Sequence, residues 1–427
     1  MRRNPERMAW AVLLGAFYAF CALALLVPLG VRSWILGATE DQTILMVSNG
    51  TVLVTRPGRT TAEVNLTDIP VGSSIAIAEP GSQATLTFTT PQSHVAVASM
   101  KIYGNTLVNV TRADSPRYTN GQAPHTIHLQ VEFGRLRVTS MAGDEPHGVD
   151  IELTSPPNAT TILNEPDSEV ALIVDSQTSL TVRQGWATIT QADGPPGSPP
   201  RLDLQQDERA EAATGGLRGP LSPERRLIAN GDFQQPLSQI STTNNWVVES
   251  PRQNDDIPGA LTVEDQDNRK VVHFYRQGID LLWGSVGISQ LINQDVRDFT
   301  TLRLQLDVLI NHQDLFNCGQ LGSECPVMVE ITYQDTSGHQ QNWLRGFFYN
   351  FSDRPGTGMT KCPQCADVRS DHQQVPQNEW VPIETENLID LLREAGVPPA
   401  RILSIKIYAS GHAFDSEITN VQLLGSE

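Results

Sequence analysis

Residues 341–349, Gln-Asn-Trp-Leu-Arg-Gly-Phe-Phe-Tyr, set aromatic rings and a guanidinium at alternate positions. In an extended strand alternate residues share a face, so Trp343, Arg345, Phe347 and Tyr349 lie together and Asn342, Leu344, Gly346 and Phe348 lie opposite. Aromatic faces stack on pyranose rings while Arg, Asn and Gln bond sugar hydroxyls, and binding sites pair apolar walls with a few placed polar groups. The candidate ligand-binding residues are therefore Trp343, Arg345 and Tyr349, joined by Trp283 and Trp380. The competing reading is that each ring is core, because large apolar side chains are mostly buried.

Cys318, Cys325, Cys362 and Cys365 are the other chemically distinctive group. Four cysteines in a segment placed outside the cytoplasm read first as disulfides, for which three pairings exist. Local pairing of Cys318 with Cys325 and Cys362 with Cys365 needs no assumption about loop proximity. A zinc site competes, since Cys362-Pro363-Gln364-Cys365 has ligand spacing, although the other pair is C-x6-C. A redox-active C-x-x-C lacks its βαβ surroundings. The nine His show no H-x-H or H-E-x-x-H spacing, and no G-x-S-x-G, P-loop or dinucleotide fingerprint occurs. Acidic residues such as Asp255-Asp256 and Glu264-Asp265 read as solvated loop charge. No catalytic residue is expected. Five N-x-S/T sequons, at Asn49, Asn65, Asn109, Asn158 and Asn350, have meaning only in a glycosylating host.

The elements that position these residues follow from an apolar run. Met8 to Val31 is uncharged over 24 residues and follows Arg2, Arg3 and Arg7. As a helix it reaches about 36 Å, enough to cross a hydrocarbon core of about 30 Å. Trp10 and Trp34 near its ends suit the two interfaces, and the basic residues before it place the N-terminus in the cytoplasm and the bulk of the chain outside. A cleaved signal peptide has a shorter apolar core and a small-x-small exit; Leu36-Gly37-Ala38 puts leucine where a small residue is wanted. Cys21 reads as a membrane-buried thiol. A net charge of -18 and a pI near 4.9 exclude nucleic acid as a partner, because polyanions are held by Lys and Arg.

Beyond the span, two-residue alternation dominates. It is clearest in Ile127 to Phe133, which bends at Gly134 and resumes at Leu136 and Val138. Val71-Gly72, Gly81 to Phe88, the F-G-R-L-R-V core within Leu129 to Val138, Val149 to Pro156, Val182 to Ile189 and Arg201 to Leu204 together resemble the FecR-type extracytoplasmic domain. That family often relays a signal to a cytoplasmic anti-sigma segment. Here the cytoplasmic part, Met1 to Arg7, falls far below the roughly 40 residues a domain needs, so the resemblance implies a relay through a partner or none. Pro- and Gly-rich stretches at Asp193 to Pro200 and Glu211 to Glu224 read as linkers.

From Arg225 onward, ten strand signals and one short helix, Thr385 to Ala395, appear. Leu227-Ile228-Ala229-Asn230-Gly231-Asp232-Phe233 with Trp246, then Gly287 to Ile292, then Ile418 to Leu423, resemble the jelly-roll modules of the galactose-binding and carbohydrate-binding superfamily. Those modules often carry a structural calcium between the entry segment and an acidic residue of the last strand. The resemblance implies Asp232 and carbonyls near Asn230 as ligands, although Asn420 stands where an Asp is usual.

The chain is thus expected to be mainly β. Residues 1–7 form a cytoplasmic tail, 8–31 a transmembrane signal-anchor helix, 41–212 a FecR-like β domain, 213–224 a linker and 225–427 a jelly-roll β-sandwich. The expected role is a single-pass, membrane-anchored binding or sensing protein of the cell envelope, recognising a glycan or envelope component. The alternative is a structural envelope protein without a small ligand.

Overall fold

A computed structural model describes residues 5–35, 38–65, 67–79, 81–91, 94–117, 123–141, 147–192, 200–240, 243, 245–254, 257–278, 282–369 and 371–427. The chain is mainly β, as its alternation requires, and divides into Met1–Pro223 and Glu224–Glu427. Each unit has its own hydrophobic core.

The apolar run forms one helix, Pro5–Ile35, within which Met8–Pro28 is long and apolar enough to cross a membrane. Trp10, Leu13, Phe17, Phe20, Leu23 and Leu26 are all exposed on it, so no protein core accounts for its apolarity.

Residues 38–221 form two sheets that share one long strand, His125–Ser140. Its first half pairs with Thr106–Pro116 and, in parallel, Val149–Ser155. Its second half pairs with Ala96–Tyr103 and Glu169–Val174. Buried positions are odd-numbered from His125 to Val131 and even-numbered from Leu136 to Ser140. Gly134, at φ +108°, sits where the parity changes. The bend expected at this glycine is therefore a change of sheet. One segment departs from expectation: the stretch read as a linker over 213–224 supplies part of an antiparallel hairpin, Arg209–Ala213 with Gly216–Leu221. Ala210, Ala212 and Leu217 bury their side chains, which the small size of the alanines disguises in the sequence. Most of the earlier stretch, Asp193 to Pro200, lies outside the described residues.

The second unit is a sandwich. Its front sheet runs in the order Ala260–Gln266, Arg269–Gln277, Ala413–Ser426, Thr301–Gln313, Val381–Glu384. The back sheet runs Val247–Val248, Gly284–Asp295, Pro399–Gly411, Val327–Asp335, Gln340–Phe348, Val368–Arg369. Val272, Phe274, Leu304 and Ile418 from the front pack with Val286, Ile331, Trp343 and Ile405 from the back in one core. The expected helix is Leu388–Glu394, capped by the Asn387 side chain, which accepts from Ile389 N. Leu227 to Phe233, expected as a strand, is instead turn-rich, with Asn230 and Phe233 at positive φ. It is tied to the last strand by Leu227 N to Leu423 O and Val421 N to Gly231 O.

Candidate functional site

Strand Gln340–Phe348 is buried on both faces, and this removes most of the expected ligand site. Trp343 is fully buried in the sandwich core, so it cannot meet a ligand. Arg345 follows on the same face at the core margin, where it forms a bidentate pair with Glu386 at 2.6 and 2.9 Å and lies 5.5 Å from the Trp343 ring. Tyr349 is half-buried, its hydroxyl donating to Gln313 O. The opposite face, with Leu344 and Phe348, lies under the cystine loops together with Met328, Cys318, Cys325 and Cys362. The alternation of residue types was real, but both sides of the strand have a cover.

Both cystines pair locally, Cys318 with Cys325 and Cys362 with Cys365. His372 pins them to the strand: its Nδ1 accepts from Gly346 N at 2.8 Å, which leaves Nε2 to donate to Gly322 O at 2.8 Å. Burial holds this imidazole below its usual pKa. A Cβ on Gly346 would overlap Cys325 Sγ, so only glycine lets the cystine rest on the sheet.

The remaining candidates separate. Trp283 donates from Nε1 to Ser410 Oγ at 2.8 Å on the back sheet. Asp232 is exposed in the entry turn and belongs to no cluster of three His, Cys, Asp or Glu ligands among the described residues. Asn420 donates to Asp307 Oδ2 at 2.7 Å. Trp380 alone remains at a surface with chemistry: Arg269 Cζ stands 4.1 Å from its ring, and Arg269 reaches Asp307 at 3.6 Å.

That surface is the outer face of the front sheet. Val272, Phe274 and Ile418 point into the core, so by alternation His273, Tyr275, Asp415 and Glu417 point outward. Pairing sets His273 opposite Glu417 on one side and Thr262 on the other. At the centre, His273 Nε2 is 3.0 Å from Asp415 Oδ1 and Nδ1 is 3.2 Å from Glu264 Oε1. Thr262 donates to Glu264 Oε1 at 2.7 Å, and Asn311 Nδ2 donates to Asp415 at 3.0 Å and Glu417 at 3.2 Å. Burial pulls the His273 pKa down, but its two carboxylate partners outweigh it and the net shift is upward. Glu417, only 7% exposed, has its carboxyl pushed up by burial, opposed by Asn311 and His273. Glu264 is lowered by the Thr262 hydroxyl and His273. Val271 and Leu309 also face outward yet are almost fully buried, covered by the larger side chains around them. Tyr275, 41% exposed, and Trp380 supply rings on the same face.

The group is not legible in the sequence because its members are distant along it, His273 and Asp415 alone being 142 residues apart. The available signal was local: His273-x-Tyr275 and Asp415-x-Glu417 each put two polar side chains on one side of a strand.

No protein-family model matches the chain, and no curated protein matches it. Among solved structures, it is similar to the family 11 carbohydrate-binding module of a cellulosomal cellulase of Clostridium thermocellum, at 12% identity and TM-score 0.25, over 47% of this chain and 93% of that one. A family 30 carbohydrate-binding module aligns at 9% identity and TM-score 0.26, over 48% and 99%. The CBM22-1 xylan-binding domain of Xyn10C from Paenibacillus barcinonensis aligns at 8% identity and TM-score 0.24, over 48% and 96%.

Proposed function

We propose that this is a non-catalytic, membrane-anchored extracytoplasmic protein that binds a glycan on the outer face of its front sheet. The observation that carries the reading is the pattern on that face: Tyr275 and Trp380 offer rings, while Glu264, Asn311 and Asp415 offer hydrogen-bonding groups near them. Neutral sugars need both, a flat apolar surface for the ring and charged or amide acceptors for hydroxyls. In this reading the helix is retained as the anchor, and residues 41–212 form a FecR-like unit on the outer side. Anionic polymers are disfavoured as ligands, because the centre of the face is acidic and the chain carries -18 overall.

The test is glycan-array binding by the purified full chain in detergent, followed by titration of the best oligosaccharide. Tyr275→Ala and Trp380→Ala should each weaken binding roughly tenfold, equivalent to about 1.4 kcal/mol. Retention of no oligosaccharide, or parent-like affinity in both variants, would sink the proposal. Turnover of a bound polysaccharide would show instead that the carboxylates are catalytic.

A further inference from the structure

We propose that His273, Asp415 and Glu417 form a binding site for a first-row divalent cation, with Glu264 as the outer partner of the imidazole. The site does not depend on glycan binding. One potential ligand atom from each of the three residues lies within 4.8 Å of the others. A tetrahedral ion with bonds of about 2.1 Å wants its ligands about 3.4 Å apart, a spacing that side-chain rotation can reach from here.

Three features separate this group from ordinary surface acidity. Glu417 is 7% exposed, and its Oε2 has no hydrogen-bond partner. A buried carboxylate oxygen without a donor is costly, and a cation is the partner that removes the cost. Second, the charge does not balance. Glu264, Asp415 and Glu417 gather around one imidazole, and among the described residues no Lys or Arg forms an ion pair with any of them. Third, the imidazole is held at its far side: Glu264 sits at Nδ1, itself fixed by Thr262, which turns Nε2 toward Asp415. Metal-bound histidines are oriented by such a carboxylate on the other ring nitrogen. Asn311 meanwhile donates to both ligand carboxylates and fixes their spacing.

One imidazole nitrogen with two carboxylates favours zinc or manganese over calcium, which prefers six or more oxygen ligands. Three protein ligands leave a fourth position for water or another donor.

Calorimetric titration of the untagged, EDTA-stripped full chain in detergent with zinc, manganese and calcium chlorides at neutral pH tests this. The expected result is one zinc per chain, manganese weaker and calcium weaker by at least a hundredfold. His273→Gln and Glu417→Gln should each weaken zinc at least a hundredfold, and Glu264→Gln by ten- to a hundredfold. Thermal melts in EDTA check that each variant is folded, and Asp415→Asn replaces any that is not. Absence of saturable zinc binding, zinc binding unchanged in two folded variants, or calcium as tight as zinc would each overturn the site and leave His273 as an imidazolium between carboxylates.

Discussion

Asp41 shows how much one misplaced charge can cost. It is 6% exposed in the first unit, where its backbone N–H donates to Ala113 O at 2.9 Å. Burial, opposed by the nearby Ser115 hydroxyl and reinforced by Asp114 and Glu40, pushes its carboxyl up to about 6. Ser115 is itself 2.6 Å from His125 Nδ1, so the acid shares a crowded polar pocket. An unfolded Asp titrates near 3.9, so the native state holds the proton more tightly. The stabilising contribution is therefore full below about pH 4 and is lost as pH rises through about 6. The whole effect is at most about 2 to 3 kcal/mol, at 1.36 kcal/mol per pH unit. Asp41→Asn should accordingly stabilise the first unit at pH 7 by about 1 to 2 kcal/mol and do little at pH 4. Urea denaturation of parent and variant from pH 4 to 8 measures this; a difference independent of pH would reject it. At this scale the sequence is least informative. Trp343 reads as a binding residue and nothing singles out Asp41, because neither spacing nor type reveals what packs on the far side.

Strands were easier to read than the residues on them. Most of the expected strands exist, and many run several residues beyond the apolar alternation that marked them, because alternation reports the half-buried pleat directly. Where both faces are covered, as in Gln340–Phe348, alternation persists in residue type but no longer marks a functional side. The strand His125–Ser140 carries the sharpest consequence. Adding a Cβ to Gly134 would bring it into Thr106 and within 2.6 Å of Asn105 O, at a φ of +108° that side chains avoid. Gly134→Ala should therefore cost about 2 to 4 kcal/mol, combining backbone strain with displacement of the neighbouring strand. Phe133→Ala, at a site 43% exposed, should change stability by less than about 1 kcal/mol. Chemical denaturation of both variants decides the point, since equal losses would mean the corner tolerates a side chain.

At the scale of the molecule, the mainly β character was legible, and the chain divides into two units between Pro223 and Glu224. The acidic face was not, because it forms only when Arg269–Gln277 pairs with the far C-terminal strand Ala413–Ser426. Such long-range pairing makes folding slow, since distant segments must meet before either is rewarded. On the back sheet, Gln340–Phe348 depends on local cover instead. Its outer side, Leu344 and Phe348, gains its cover from loops whose shape depends on two short cystines and on His372 seated over Gly346. Without those crosslinks the loops regain chain entropy worth roughly 2 to 4 kcal/mol per bridge, and an apolar sheet face is left open to a second molecule. Solubility thus becomes a function of the compartment in which the chain matures. Extracted in detergent after synthesis in a reducing cytosol, it should aggregate, whereas export of its exterior to an oxidising compartment should yield protein that is monodisperse in the same detergent. Size-exclusion profiles of the two preparations, with a Cys318→Ala/Cys325→Ala variant exported alongside them, would show whether cystine formation is the step that keeps copies apart.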